Sequence, residues 1–522
     1  LMGINFSRLL TLKYGNSISN YLGNKYTVVS VGRVMTCVLG MVVRREREIR
    51  EFVKTPFYRV IESVNVDGHT FTGEWRAVKG SAYFESPKLY KENGFKEKEE
   101  AKKLIAVLKE GTSPLTCRIV SIEKKKEKKN PPLLFNLAEL QNECSKRFKI
   151  SPDETLRIVQ ELYEKKLVTY PRTDARVLST AVSKEITKNL NGLSKYQMTA
   201  PYMQDILNFG SYKTLAKTRY VNDKQITDHY AIIPTGQGLN ALSTVSSTAK
   251  GVYDLIVRRF LSIFYPPAVY QKVAIVTKIK EESFFSSFKV LAEEGYLKVA
   301  GIPKKKASQT ATKDGSNGNS ENNNNDTNDK AGLDSSDQSL DTGLFEVIKS
   351  LKKGAVLQVR ALDIKEGETS PPKRYNSGSM ILAMENAGQL IEDEDLRSQI
   401  KGSGIGTSAT RAEILKKLFN IRYLSLNKKT QVITPTLQGE MIYDVVNCSI
   451  RQLLNPELTA SWEKGLTYVA EGSITEQEYM DKLEHFVRIR TKQVEDSHFQ
   501  YALRQFFDAA AQFYKKPERE TA

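Results

Sequence analysis

The feature that most constrains this chain is strand-like sequence recurring on both sides of a long helical stretch. From about residue 57 to 122, short alternating runs such as Phe57-Tyr58-Arg59-Val60-Ile61 and Thr116-Cys117-Arg118-Ile119-Val120 read as strands, with one helix predicted over 97–108. The same character returns over about 264–299, in Val273-Ala274-Ile275-Val276 and Phe284-Phe285, and once more over 354–364. Two similar patterns around a different one imply a helical unit inserted between the halves of one β-rich domain. At 522 residues the chain exceeds what one hydrophobic core serves, so about three domains are expected.

The flanks are helical. Phe6, Leu9, Leu10 and Leu12 form a stripe near the start, and 44–51 is a mixed-charge exposed run. The lysine run 123–132, closed by Pro131 and Pro132, reads as a solvated connector whose charge would also attract DNA. Beyond it, Leu137, Leu140, Cys144 and Phe148 share a helix face. The next helix is announced by Ser151 as N-cap, Pro152 at the first helical position and Glu154 completing a capping box. Leu156, Val159, Leu162 and Tyr163 are spaced for burial, and helices continue to about 264. Residues 304–342 are rich in Ser, Asn, Asp, Thr and Gly and cannot offset their ordering entropy, so a disordered loop is expected. Pro371-Pro372-Lys373-Arg374-Tyr375 reads as a second domain exit, and the remainder is helical.

Lysine plus arginine total 78 against 61 Asp plus Glu, a net +17. That surplus points either to a polyanionic partner, nucleic acid being the commonest, or to plain solubility charge. Cys37, Cys117, Cys144 and Cys448 are scattered without a Cys-x-x-Cys pair, so neither zinc nor a disulfide framework is indicated and a reducing compartment fits. No apolar run reaches membrane-spanning length, and no signal-peptide pattern is present. The opening Leu1-Met2-Gly3 reads as the start of a fragment.

Chemistry concentrates in Leu167-Val168-Thr169-Tyr170-Pro171-Arg172-Thr173-Asp174-Ala175-Arg176, where a phenol, guanidiniums, a hydroxyl and a carboxylate crowd one proline. Pro171 pushes Tyr170 into extended geometry, as at a strand exit. A phenol beside fixed positive charge suits phosphoryl transfer to the enzyme; a buried strand tyrosine near a surface basic cluster fits as well. Ser30-Val31-Gly32-Arg33-Val34-Met35-Thr36 offers a Gly-Arg pair at a helix entrance, able to hold a phosphate. The run from Gly402 through Thr407, Thr410 and Arg411 to Glu413 is a glycine-rich turn feeding a hydroxyl-capped helix, again an anion cradle. No Gly-Lys dipeptide exists for a Walker A loop, so ATP has no support. His229, in Asp228-His229-Tyr230-Ala231-Ile232-Ile233-Pro234-Thr235, reads as structural unless geometry brings it to Tyr170.

Taken in chain order, these stretches together with Gly3-Ile4-Asn5-Phe6-Ser7-Arg8 resemble the type IA DNA topoisomerases, and among them the bacterial topoisomerase III-like branch. The resemblance covers nearly the whole chain apart from the polar insertion. It implies a multidomain α+β fold, a toroidal clamp core with two helical regions and a β-rich arch. Residues 1–55 and 375–522 would form the helical DNA-binding domain, 56–130 and 265–374 the arch, and 131–264 the inserted tyrosine domain. Tyr170 would form a 5′-phosphotyrosyl link to one DNA strand, Arg172 would stabilise the phosphate, and Thr173, Asp174 and His229 would complete the catalytic group. Arg8, Ser30, Gly32, Arg33, Thr36, Thr407, Thr410 and Arg411 would contact the strand.

Three departures stand out. Met35, Thr36 and Cys37 occupy the places of Gln and Thr-Pro; Ser408 replaces a proline; Tyr230 replaces a second histidine. The family's toprim module, carrying a glutamate and an Asp-x-Asp magnesium site, is expected before Leu1. Asp393-Glu394-Asp395 reads instead as a surface acidic turn, so no metal site is expected in this stretch. The resemblance therefore implies Mg²⁺ in the full protein through the toprim module, with no ATP and no zinc. It also implies a cytoplasmic bacterial monomer acting on single-stranded or underwound DNA of the nucleoid or of mobile elements, by relaxation or decatenation. The alternative is a single-stranded-DNA-binding fragment with little turnover. A tyrosine recombinase would need an Arg-His-Arg constellation that is not found.

Overall fold

The computed structural model describes residues 1–301, 342–400 and 404–514. The polar stretch expected to be a loop lies outside the described residues as far as residue 341. The chain forms two compact units: one comprises Leu1–Phe52, Pro132–Phe264 and Pro371–Ala522, the other Val53–Pro131 and Tyr265–Ser370. The tyrosine-bearing segment and both helical flanks fall within the first unit.

The smaller unit is a sheet of eight strands: β1 (Pro56–Val66), β2 (His69–Arg76), β3 (Leu89–Lys91), β4 (Gly94–Phe95), β5 (Thr116–Lys129), β6 (Ala268–Ile279), β7 (Glu282–Glu293) and β8 (Val356–Glu368). Their order is β2-β7-β6-β5-β8-β1-β4-β3, and β2 also pairs with β1, so six strands close on one another and bury their edges. Strands from both sides of the helical segment are interleaved in this one sheet, as the recurring pattern requires. Inside, Trp75 stacks on Phe95 at 4.8 Å and Phe71 meets Phe288 edge-on. Val60, Ile119, Ile275 and Phe284 are fully buried around them.

The lysine run is not a connector. Lys124 to Lys129 continue β5 in register with β6, from Lys124 opposite Val273 to Lys129 opposite Ala268. The lysine side chains are exposed, while the backbone bonds to a partner strand that supplies the buried residues. Hydrophobic alternation marks strands that bury a face of their own, so it cannot reveal this one.

In the larger unit, α1 (Met2–Leu22) and α2 (Arg33–Glu51) are followed by α3 (Leu137–Phe148), α4 (Pro152–Glu164) and α5 (Ser247–Ser262). After the second crossing come α6 (Ser377–Glu385), α7 (Arg411–Asn420) and α8 (Leu437–Ser449). Phe6, Leu10, Val38, Met380, Leu415, Ile442 and Val445 pack in one core drawn from both ends of the chain. α4 begins at the expected N-cap, with the Ser151 hydroxyl accepting from the Glu154 N–H and Pro152 in the first turn, but the Glu154 side chain does not return the bond that would complete a capping box. α6 crosses α3 closely at Gly378, where a β-carbon would lie 2.7 Å from the Asn142 Cα. A short hairpin, Leu424–Leu426 with Ile433–Pro435, interrupts the helical tail where only helix was expected.

Candidate active site and nucleic-acid interface

Tyr170 leaves a two-residue pairing rather than a full strand. Val168 bridges Pro234, and the Thr169 N–H donates to the Ile233 carbonyl at 3.0 Å. The Thr169 hydroxyl donates to the Ala231 carbonyl and accepts from the Ile233 N–H, clamping 231–233 alongside. Thr173 repeats the device: buried, it donates to the His229 carbonyl at 2.8 Å and accepts from the Ala175 N–H. These hydroxyls bring residues from 229 to 233 against 169–175. The Tyr170 and His229 rings consequently lie 4.3 Å apart, tilted by 44°.

Both rings face a cavity of about 590 Å³, further lined by Tyr163, Lys166, Thr169 and Tyr230. Tyr163 meets Tyr170 edge-on at 5.4 Å. Burial raises the Tyr230 phenol above its ordinary pKa. Arg172 projects into solvent and has no hydrogen-bond or ion-pair partner among the described residues, so its charge is available to an anion.

Asp174 faces the other way. Its carboxylate accepts from Arg411 at 3.0 Å, and Arg411, at the start of α7, is 1 % exposed. Sequence placed Arg411 on the DNA; the structure places it inside, joining α7 to the 170–176 stretch. Asn136, buried at the start of α3, joins the same cluster. Its Nδ2 donates to the Asp174 carbonyl at 3.1 Å and to Glu385 Oε1 at 2.6 Å, while its Oδ1 caps α3 by accepting from the Glu139 N–H. Burial pushes the Glu385 carboxyl above the usual carboxylate range, while the nearby Arg411 charge and the Asn136 bond pull it back. Neither Asn136 nor Glu385 stands in a sequence stretch loaded with chemistry. The only signal was Asn136 directly before the helical stripe that starts at Leu137.

The remaining candidates divide. Gly32 starts α2, and its N–H donates to the Thr36 hydroxyl at 2.9 Å; Thr36 is buried and shapes the turn instead of lining the surface. Arg33 pairs with Glu463 at 3.2 Å, and its Nη1 is buried without a partner among the described residues. Ser30 is half-buried, its N–H donating to the Tyr423 hydroxyl. Arg8 is exposed on α1 without a partner among the described residues. Thr407 and Thr410 are exposed before α7, but the Thr410 hydroxyl accepts from the Thr407 N–H at 3.0 Å, so the expected hydroxyl cap on α7 is absent. Gly404 and Gly406 have φ of 66° and 69°, and at Gly404 a β-carbon would fall 2.2 Å from the Met384 carbonyl oxygen. The start of this turn, 401–403, lies outside the described residues. Asp393 caps a short helix, Glu394–Gln399. Among the described residues, no three His, Cys, Asp or Glu side chains gather closely enough to hold a metal ion. No helix among them is long and apolar enough to cross a membrane.

A family profile described as DNA topoisomerase matches residues 1–481. The DNA topoisomerase 3 of Bacillus licheniformis is 30% identical over 501 residues, covering 95% of this chain and 59% of its own length. The DNA topoisomerase 3 of Bacillus subtilis matches to the same extent. The chain thus spans about three fifths of the length of these curated relatives. Among solved structures, full-length topoisomerase I of Thermotoga maritima superposes with a TM-score of 0.59 at 22% identity, over 94% of this chain and 68% of that one.

Proposed function

Because this chain belongs to the type IA DNA topoisomerase family, we propose that its protein cuts one DNA strand, passes another through the break and rejoins the first without ATP. Relaxation of negative supercoils and decatenation are the outcomes proposed. The Tyr170 phenol loses its proton and attacks a backbone phosphorus. The Oη–P bond forms, the P–O3′ bond breaks, and the departing 3′ oxygen takes a proton. The DNA is left attached through its 5′ phosphate, and one phosphoester has replaced another, so reversal reseals the strand.

The observation that carries this reading is the open cavity where Tyr170 and His229 face each other, with unpaired Arg172 two residues on. Arg172 offsets charge on the phosphate oxygens, and His229 is placed to contact the phosphate or the departing oxygen. Thr173 and Asp174 act as positioning residues, as do Thr36 and Arg411. Arg8, Ser30, Gly32, Arg33, Thr407 and Thr410 contact the strand, with Arg33 exchanging its Glu463 partner for a phosphate. Magnesium on a toprim module of the complete protein remains part of the proposal. The described residues do not fit that ion, and no step here runs through it. The protein is proposed to act in the cytoplasm as a monomer.

The test is covalent trapping. Full-length protein incubated with labelled single-stranded DNA should yield a denaturation-resistant 5′-linked adduct that Tyr170→Phe abolishes; an adduct surviving that change sinks the assignment. A second reading for this stretch alone is strand binding with little turnover, in keeping with the finding that no three His, Cys, Asp or Glu side chains among the described residues gather to hold a metal ion. Robust relaxation of supercoiled plasmid by the 522-residue chain would refute it.

A further inference from the structure

The segment between α1 and α2 carries a feature that the reaction above does not use. After Gly23, in left-handed conformation, the chain forms no helix or strand as far as Val31, and from Tyr26 onward burial alternates. Thr27, Val29 and Val31 are buried, whereas Tyr26 is 63% and Val28 55% exposed, and Ser30 is half-buried. A period of two means that these two rows point to opposite sides. The inner row is pinned to α1. Ser7 accepts from the Val31 N–H at 3.0 Å and Thr11 from the Val29 N–H at 2.9 Å, four residues apart on one helix face. The Tyr423 hydroxyl accepts from the Ser30 N–H at 2.8 Å and donates to the Val28 carbonyl at 3.4 Å. The segment is therefore a fixed track, not a loose loop.

On the outer side Tyr26, Val28 and Ser30 border a cavity of about 380 Å³, whose lining also takes in Thr27 of the inner row together with Asn24, Ile421 and Gln438. Its lining includes no charged side chain, which disfavours a phosphate as occupant. The side-chain amides of Asn24 and Gln438 have no hydrogen-bond partner among the described residues, and neither does the Tyr26 hydroxyl. An exposed aromatic ring, an exposed aliphatic side chain and two amides without a protein partner among the described residues suit a flat heterocycle that stacks on its face and bonds at its edge. The track leads directly to Gly32 and Arg33, and the net charge of +17 attracts the polyanion that carries such heterocycles.

We propose that this cavity takes a nucleobase of a bound single strand, stacked on Tyr26 and hydrogen-bonded at its edge by Asn24 and Gln438, beside the phosphate site at Gly32 and Arg33. The proposal rests on the DNA-binding part of the reading above, not on cleavage by Tyr170.

Two fluorescent single-stranded 8-mers test it, one with all its bases and one fully abasic with the same phosphates, each titrated by anisotropy against the 522-residue chain. Tyr26→Ala should weaken binding of the intact strand roughly tenfold and leave the abasic strand unchanged, since stacking on one aromatic ring is worth about that factor. Tyr26→Phe should keep the affinity, and Gln438→Ala should lower it for the intact strand alone. Equal weakening on both strands, or none on either, overturns the base site while leaving DNA binding standing. A wild-type chain that binds neither strand overturns both. Tyr26 lies outside the core, so a melting temperature equal to wild type checks that the variant is folded.

Discussion

Arg411 and Arg172 show how one residue type takes opposite jobs. Arg172 is exposed and unpaired, so Arg172→Ala should change stability by less than about 0.5 kcal/mol while suppressing the covalent adduct. Asp174 pairs with a guanidinium that is almost wholly buried, and removing its charge breaks the Asp174–Arg411 ion pair. Breaking such a pair costs several kcal/mol in a dry interior. Because a third of the Asp174 side chain is exposed, Asp174→Asn should cost about 2 kcal/mol. Urea unfolding of the two variants decides the point: equal stabilities would refute the positioning role of Asp174. The local chemistry of 170–176 was legible because proline, phenol and charge stand together in the chain. The burial of Arg411 was not. Its partner Asp174 lies far away in sequence, and a glycine-rich turn before an arginine reads alike whether the side chain turns outward or inward.

The elements were legible where each one carries its own signal. Ser151-Pro152 marks the start of α4, and the alternating runs fall within β1, β5, β6 and β7. Signal failed where a partner supplies what the element lacks, as in the lysine half of β5, and where the three-residue strands of a hairpin are too short to show a period. The interior of the sheet holds a further feature invisible in sequence, Glu62 of β1. It is fully buried, with one carboxyl oxygen accepting from the Thr277 hydroxyl and the other without a partner among the described residues. Burial pushes its pKa up to about 7, with the Thr277 bond opposing. The folded chain therefore holds a proton that the unfolded chain releases near its ordinary value. The associated stability is complete below that ordinary value and is lost as pH rises through about 7. Glu62→Gln keeps the acceptor for Thr277 and cannot ionise. At pH 8 it should therefore stabilise the sheet by on the order of 3 kcal/mol, with the gain vanishing near pH 4. Thermal unfolding across that range measures it, and a gain independent of pH would refute the argument.

For the whole molecule, the decisive quantity is a net charge of +17, since 78 Lys and Arg outnumber 61 Asp and Glu and one-to-one pairing cannot neutralise the difference. The excess cannot be assigned to internal pairing, and it includes unpaired Arg8 and Arg172 in the unit that carries Tyr170. If the partner is a single strand, each neutralised phosphate releases condensed counterions, and the logarithm of affinity falls with the logarithm of salt at about 0.7 per contact. Four contacts give a slope near −3, or roughly a fiftyfold loss between 50 and 200 mM salt. Substitutions should then sort by chemistry. Arg8→Ala should flatten the slope by about one contact, whereas Tyr26→Ala should lower affinity and leave the slope alone, because a stacked base displaces no counterions. Solubility charge, the rival account of the surplus, predicts a weak slope that no single arginine alters. Binding isotherms at four salt concentrations separate the two, and an unchanged slope in Arg8→Ala would remove that residue from the strand-binding set.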